Sequence, residues 1–244
     1  MQKIVEHNGI KCVFDDQWHT YKTSTGKKLV SGTKYLKQFF KEFDAQGISK
    51  TYAEKRGLKQ QDVLDQWGAK AKRSQAIGNA CHLYAEKYFT NQHGLVLDGL
   101  KHSPHVKDLE VLFPVVGRFI DSLLQTKKLI ECERIVFSEK HGVAGTIDLL
   151  MHDDYVLYLY DWKSNEKIDK ENSFQNCLGP LWPYPDCNYI KYAAQLNLYR
   201  EILVTENYFP QFKQIKMCLF HITPKGIVEM SIEPFPSPIK FLED

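Results

Sequence analysis

The chain has no C-x-x-C pair, no apolar run long enough to cross a bilayer, and almost no net charge. Each lack excludes something. Cys12, Cys81, Cys132, Cys177, Cys187 and Cys218 are scattered, without zinc-ligand spacing or the density of a disulfide framework, so reduced thiols in an intracellular setting are expected. A transmembrane helix needs roughly 20 consecutive apolar residues, so no membrane partner is expected. The opening MQKIVEHNGIKCVF lacks both the apolar core of a signal peptide and the Arg/Ser richness of a transit peptide. A formal net charge of +2 supplies little overall pull on a polyanion. Repeats, low-complexity tracts and linkers are missing too, and a hydrophobic content of 43% is ordinary for a globular chain. One domain over 1–244 is expected, with a mainly helical part at 31–127 and a sheet core at 131–232.

The charge that is present is uneven. Six lysines and no acid lie between Lys22 and Lys41, and Lys70, Lys72 and Arg73 stand without an acid between Gln66 and Ala85. Such stretches are solvated faces unless a phosphate-handling site lies beside them.

Periodicity and turn signals predict short strands over 3–30, with turns at Asn8-Gly9 and Thr25-Gly26. A helix is predicted over 31–45, opened by the hydroxyls of Ser31 and Thr33. Further helices are predicted over 51–57, 60–90 (with Gly68 and Gly78 as possible interruptions) and 106–127, and a loop over 91–104. Strands follow at 131–138, 143–151 and 155–163. A long loop covers 164–188, an amphipathic helix 189–206, and two strands close the chain at 213–222 and 226–232.

The stretch from Gly145 to Lys163, GTIDLLMHDDYVLYLYDWK, organises the rest. Two apolar runs flank His152-Asp153-Asp154, and their β-branched and aromatic content predicts an antiparallel hairpin. With the turn centred between Asp153 and Asp154, Asp148 lies opposite Leu159. Asp161 and Lys163 then follow on the same face, and Trp162 points the other way. Two carboxylates and an ammonium on an apolar hairpin are costly unless a cation sits between the carboxylates. Upstream, His82 and Glu86 are four apart on one helical face, with Gly78 a turn before them, leaving room for close approach. Downstream, Gln195 and Tyr199 share a helical face in the same way. Alone, each pattern also fits a surface pair or a helix with a polar edge.

Together, G-x-x-x-H, G-x-x-D, D-W-K and Q-x-x-x-Y, in that order from residue 78 to 199, resemble the motifs of the PD-(D/E)XK nuclease superfamily, in particular its RecB-type exonuclease branch. Val30-Ser31-Gly32-Thr33 and Arg73 look like further elements of its single-strand exonucleases. The resemblance implies an α/β fold, a central mixed sheet of the restriction-endonuclease-like type flanked by helices, with a helical N-terminal region. It implies a DNA nuclease, an exonuclease by the same likeness. His82, Asp148, Asp161 and the Trp162 carbonyl would bind one or two Mg2+ or Mn2+ ions, and Lys163 would orient or deprotonate water. Gln195, Tyr199, Arg73 and Lys70 would hold a DNA partner with a single-stranded end, and Glu86 and Glu139 are further candidates. Trp182, Tyr184 and Tyr189 in the long loop are aromatic enough to stack on unpaired bases. Iron–sulfur members of the branch need a cysteine cluster near the C-terminus, and Cys218 alone does not supply one, so no cluster is expected. Two rival readings stay open: a DNA-binding or recombination-partner protein with the same fold and no turnover, and an ordinary ion pair in an unrelated protein. Oligomeric state has no sequence signal.

Overall fold

A computed structural model describes residues 2–236 and 240–242. The chain begins as an antiparallel meander, β1 (Gln2–His7), β2 (Ile10–Asp15), β3 (Thr20–Thr23) and β4 (Lys28–Ser31). Its first turn is the predicted Asn8-Gly9, where both residues take positive φ, 50° and 75°, the twist that a two-residue hairpin needs.

Ser31 then caps α1 (Gly32–Leu36), accepting from the Lys34 N–H. The predicted helix to residue 45 stops after a 3-10 turn at Lys37–Phe39, because Phe40 is extended. The reason is tertiary. Leu178 N–H donates to the Phe39 carbonyl and Lys41 N–H to the Asp186 carboxylate, so the 164–188 loop takes the backbone groups a continuing helix would use. α2 (Ala45–Arg56) starts earlier than predicted, where Asp44 accepts from Gly47 N–H, and ends at Gly57 with φ 65°. α3 (Gln60–Phe89) runs unbroken through Gly68 and Gly78. The predicted loop at 91–104 contains α4 (His93–Leu100), whose Val96 and Leu100 pack on the α3 core. α5 is Val106–Leu124.

The remaining elements are β5 (Lys128–Ser138), β6 (Val143–His152), β7 (Val156–Lys163), α6 (Asn188–Thr205), β8 (Gln214–Thr223) and β9 (Gly226–Ile232). They complete an α/β architecture: six helices flank a nine-stranded mixed sheet in the order β1-β2-β3-β4-β6-β7-β8-β9, with β5 paired to β6 outside that path. The β4–β6 and β7–β8 pairs are parallel and the rest antiparallel. One face packs on α1 and α6 through Leu157, Leu159 and Leu219, and the other on α3 and α5 through Tyr160, Trp162 and Phe220. In α6, the consecutive residues Leu196, Asn197, Leu198 and Tyr199 are all buried, so it is enclosed around its circumference, not along the predicted stripe. The C-terminal segment closes the outer side, with Phe235 N–H on Asn197 and Phe241 N–H on Glu201. Among the described residues, no helix is long and apolar enough to cross a membrane.

The sheet forks at β6. Along one edge β6 pairs with β5 throughout. Along the other it pairs with β4 only at Val143 and Ala144, and with β7 only from Leu149 to His152. Between them, Gly145 to Asp148 have no strand partner on that side, and β7 diverges as it reaches Asp161. The Tyr199 ring lies against this gap: a Cβ at Gly145 would overlap it, and one at Gly32 would stand 2.9 Å from it.

Candidate metal centre

The β6–β7 ladder matches Leu149 with Tyr160 and Leu150 with Leu159, so its continuation sets Asp148 across from Asp161, not Leu159. The turn is centred one residue later than predicted because the Asp153 carboxylate accepts from Tyr155 N–H and Val156 N–H, which starts the turn at Asp153. The shared face survives, since a shift of the turn centre by one residue moves the register by two. Beyond the last β6–β7 pair, the Asp148 carboxylate accepts from Trp162 N–H at 2.8 Å. The Trp162 indole points away, into the α3/α5 core against Phe220.

On the other edge of β6, the register Cys132–Leu149 and Arg134–Ile147 sets Glu133 across from Asp148. Glu133 takes a positive φ of 52°, within an irregular ladder. His82 reaches the same point from α3. Its Nε2 donates to the Trp162 carbonyl at 2.9 Å, since a carbonyl only accepts. Its Nδ1 then faces Asp148 at 3.5 Å and Glu133 at 4.0 Å. Ligand atoms of His82, Glu133 and Asp148 all lie within 4.8 Å of one another. Two carboxylates and one imidazole form a hard donor set suited to Mg2+ and better still to Mn2+, which accepts nitrogen more readily. Burial, followed by the neighbouring Asp148 carboxylate, pushes the Glu133 carboxyl up to about 7 despite the pull of His82. Two carboxylates and an imidazole brought this close together fit a cation.

Beside the trio, Lys163 Nζ meets the Asp161 carboxylate at 2.5 Å, with Asp161 only 4% exposed. Burial pushes Asp161 up to about 6, opposed chiefly by the Lys163 ammonium. For Lys163, burial on its own would lower the pKa, but Asp161 and Asp148 outweigh it and the ammonium is held above the usual lysine range. The Tyr192 ring covers the ammonium at 4.8 Å and its hydroxyl donates to Asn165 at 2.8 Å. Asn165 in turn offers its carbonyl to His221, the β8 partner of Lys163.

The other predicted residues divide. Gln195 donates to the Tyr199 hydroxyl at 3.3 Å, and Tyr199 is buried at the fork. Burial, then Tyr21 and the site carboxylates, hold that phenol far above its usual pKa. Gly78 does give room, to the Ser164 hydroxyl, 3.0 Å from where its Cβ would be. Glu86 pairs with Lys87 at 3.1 Å, and its charge adds to the field on Glu133. Arg73 grips Asp108 with both contacts at 2.8 Å, and exposed Lys70 meets Glu166 at 2.5 Å, so each cation has a carboxylate beside it at a neighbouring cleft. Glu139 lies away from the trio, half-buried, and accepts from Thr25. Of the three loop aromatics, Trp182 is exposed, Tyr184 packs on Phe235 and Tyr189 donates to the Ser231 carbonyl. Glu133 had one usable sequence signal: a hairpin turn at Lys140-His141 counts Glu133 into register with Asp148.

No family model and no curated protein matches the chain. Among solved structures, one described as "Crystal structure of SSO0001" is similar over 64% of this chain at 16% identity, with a TM-score of 0.28. The chain spans 64% of that protein's length, less than two thirds, and a likeness so distant supports no inference about function.

Proposed function

We propose that the protein is a divalent-metal-dependent deoxyribonuclease of the PD-(D/E)XK type, acting as an exonuclease. The observation that carries this reading is the adjacency of two groups at the sheet fork. One is an acid–imidazole trio able to hold a hard cation, and the other is a half-buried lysine kept charged by Asp161. In this reading the mixed strands β5 to β8, with α3 and α6 on opposite faces, are the restriction-endonuclease-like core.

His82, Glu133 and Asp148 would hold Mg2+ or Mn2+, with Asp161 next to them. A divalent ion bound there supplies Lewis acidity toward a phosphodiester and makes water a better nucleophile at neutral pH. Trp162 aligns two of the ligands, its N–H on Asp148 and its carbonyl on His82. Lys163, held as an ammonium, orients water and stabilises charge on the phosphate oxygens; its raised pKa makes it a poor base. Tyr199 and Gln195 brace the floor beneath the fork.

The test is cleavage of end-labelled single-stranded and duplex DNA in Mn2+, in Mg2+ and in chelator. Metal-dependent release of nucleotides by the wild type, lost in Asp161→Asn and Lys163→Ala, is the expected result. Absence of cleavage in the wild type, or full activity in either variant, overturns the assignment.

A further inference from the structure

We propose that a pocket at the far end of the sheet from the metal centre binds a small organic anion, an oxyanion head on a ring-sized apolar body. The pocket lies between the last turns of α6, the segment 207–213 and the first residues of β8, and encloses about 320 Å3. That is the small end of the roughly 300–1,000 Å3 of sites that hold small molecules. Its place is set by the β7–β8 ladder, in which Lys163 pairs with His221 at one end and Val156 with Gln214 at the other. Seven residues separate the two ends, roughly 23 Å at about 3.3 Å per strand residue. The pocket is thus separate from the metal centre, whatever reaction occurs there.

Arg200 points to a ligand. It is half-buried on the pocket wall, and its Nε is buried without a hydrogen-bond partner. Among the described residues its guanidinium has no ion pair either. The neighbouring carboxylate of Glu201 is engaged elsewhere, accepting from the Phe241 and Leu242 N–H groups. Arg73 and Arg134, by contrast, each hold a carboxylate, Asp108 and Glu131. A guanidinium carries five donors in a planar fork and cannot shed its charge, so leaving it half-buried and unpaired costs stability. Lys213 stands exposed on the rim, and no acid lines the pocket. The rest of the wall is apolar: Leu157 and Leu203 are buried behind it, and Phe209 and Phe212 flank it. A bare inorganic ion would leave these apolar groups wet, and a neutral apolar molecule would leave the fork unpaired. An oxyanion on an apolar body satisfies both, its oxygens meeting the fork and its body covering the two leucines and the two rings.

The test is a titration of the full chain with four probes, followed through the methyl resonances of Leu157 and Leu203 by NMR. The probes are 3-phenylpropionate, its uncharged amide 3-phenylpropanamide, phenyl phosphate and inorganic phosphate. At least one of the two ring-bearing anions should bind the wild type with a Kd below about 1 mM. The amide and inorganic phosphate should each bind at least about tenfold more weakly than that anion. Which ring-bearing anion binds more tightly tells a carboxylate head from a phosphate head. Arg200→Met should weaken anion binding by at least about tenfold. It should melt no lower than the wild type, because the side chain has no protein partner to lose. Arg200→Lys keeps the charge without the fork and should retain only part of the affinity. The site is overturned if neither ring-bearing anion moves those methyl groups, if the amide binds the wild type as tightly as either anion, or if Arg200→Met binds as the wild type does. The comparison of anions with the amide is made on the wild type, so it decides the matter even if Arg200→Met does not fold.

Discussion

His82 holds its Nε2 proton on the Trp162 carbonyl at 2.9 Å, and this one bond decides which nitrogen faces the carboxylates. With Nε2 committed there, Nδ1 is the ring nitrogen that faces Asp148, at 3.5 Å. The ring is thus preset as a ligand by a backbone group of the strand that carries Asp161 and Lys163. His82→Ala and Glu133→Gln should each weaken Mn2+ binding by at least about tenfold in calorimetric titration, in line with the roughly 10–100-fold loss for disturbed metal sites. Glu139→Gln should leave it unchanged. Equal Mn2+ affinity in wild type and Glu133→Gln would remove Glu133 from the site.

Half-buried Lys163 and buried Asp161 neutralise each other, so removing either one alone strands the other. Lys163→Met should lower catalysis by about 10²-fold or more while keeping Mn2+ affinity within a few fold. It should also cost on the order of 3 kcal/mol, softened by the ability of Asp161 to take up a proton. The double variant Lys163→Met/Asp161→Asn should be more stable than Lys163→Met, because no unpaired charge remains. A double variant less stable than both singles in urea denaturation would show that the pair is not the balanced unit inferred.

Gly145 and Tyr199 touch where the sheet opens. A methyl at residue 145 collides with a buried ring that is itself backed by Gly32. Gly145→Ala should cost about 1–3 kcal/mol from overpacking, a drop of roughly 2–12 °C in melting temperature for a chain of this size. Combining it with Tyr199→Ala should recover part of the clash, so the two costs should not add. Strict additivity would place the Tyr199 ring elsewhere.

Glu133 also predicts a pH dependence. Its folded carboxyl is held near pH 7 by burial and by Asp148, above the ordinary value of 4.5. A carboxyl whose folded pKa is the higher one binds its proton more tightly in the fold. The metal-free protein should therefore lose stability as pH rises from about 4.5 to about 7, by an amount on the order of 1–3 kcal/mol. Urea denaturation in chelator at pH 5 and pH 8 should give a larger difference for the wild type than for Glu133→Gln. Identical differences in the two proteins would contradict the half-buried, acid-flanked placement of Glu133.

Much of the architecture was legible from local pattern. Asn8-Gly9 marks a hairpin whatever surrounds it, because both residues tolerate positive φ. Alternation along VLYLYDWK separates Asp161 and Lys163 from Trp162 without help from any other strand. The exact facing of Asp148 was not legible, since it depends on how Asp153 caps the turn. The stop of the helical segment before Phe40 depends on hydrogen bonds from Leu178 and to Asp186, more than a hundred residues away. Arg73 and Lys70 read as free basic residues in a stretch without acids, yet Asp108 and Glu166 reach them from distant segments.

By itself, then, the sequence determined which short-range neighbours share a face: Asp161 with Lys163 on a strand, His82 with Glu86 and Gln195 with Tyr199 on helices. Those relations follow from repeat periods of the backbone and need no fold. Only the tertiary structure decided that Glu133 completes the trio, that the sheet splits at Gly145 to Asp148, and that Trp162 joins both ligands through its peptide groups. Each of these depends on strand register and helix docking across long sequence separations, where a shift of a single residue exchanges one side chain for another.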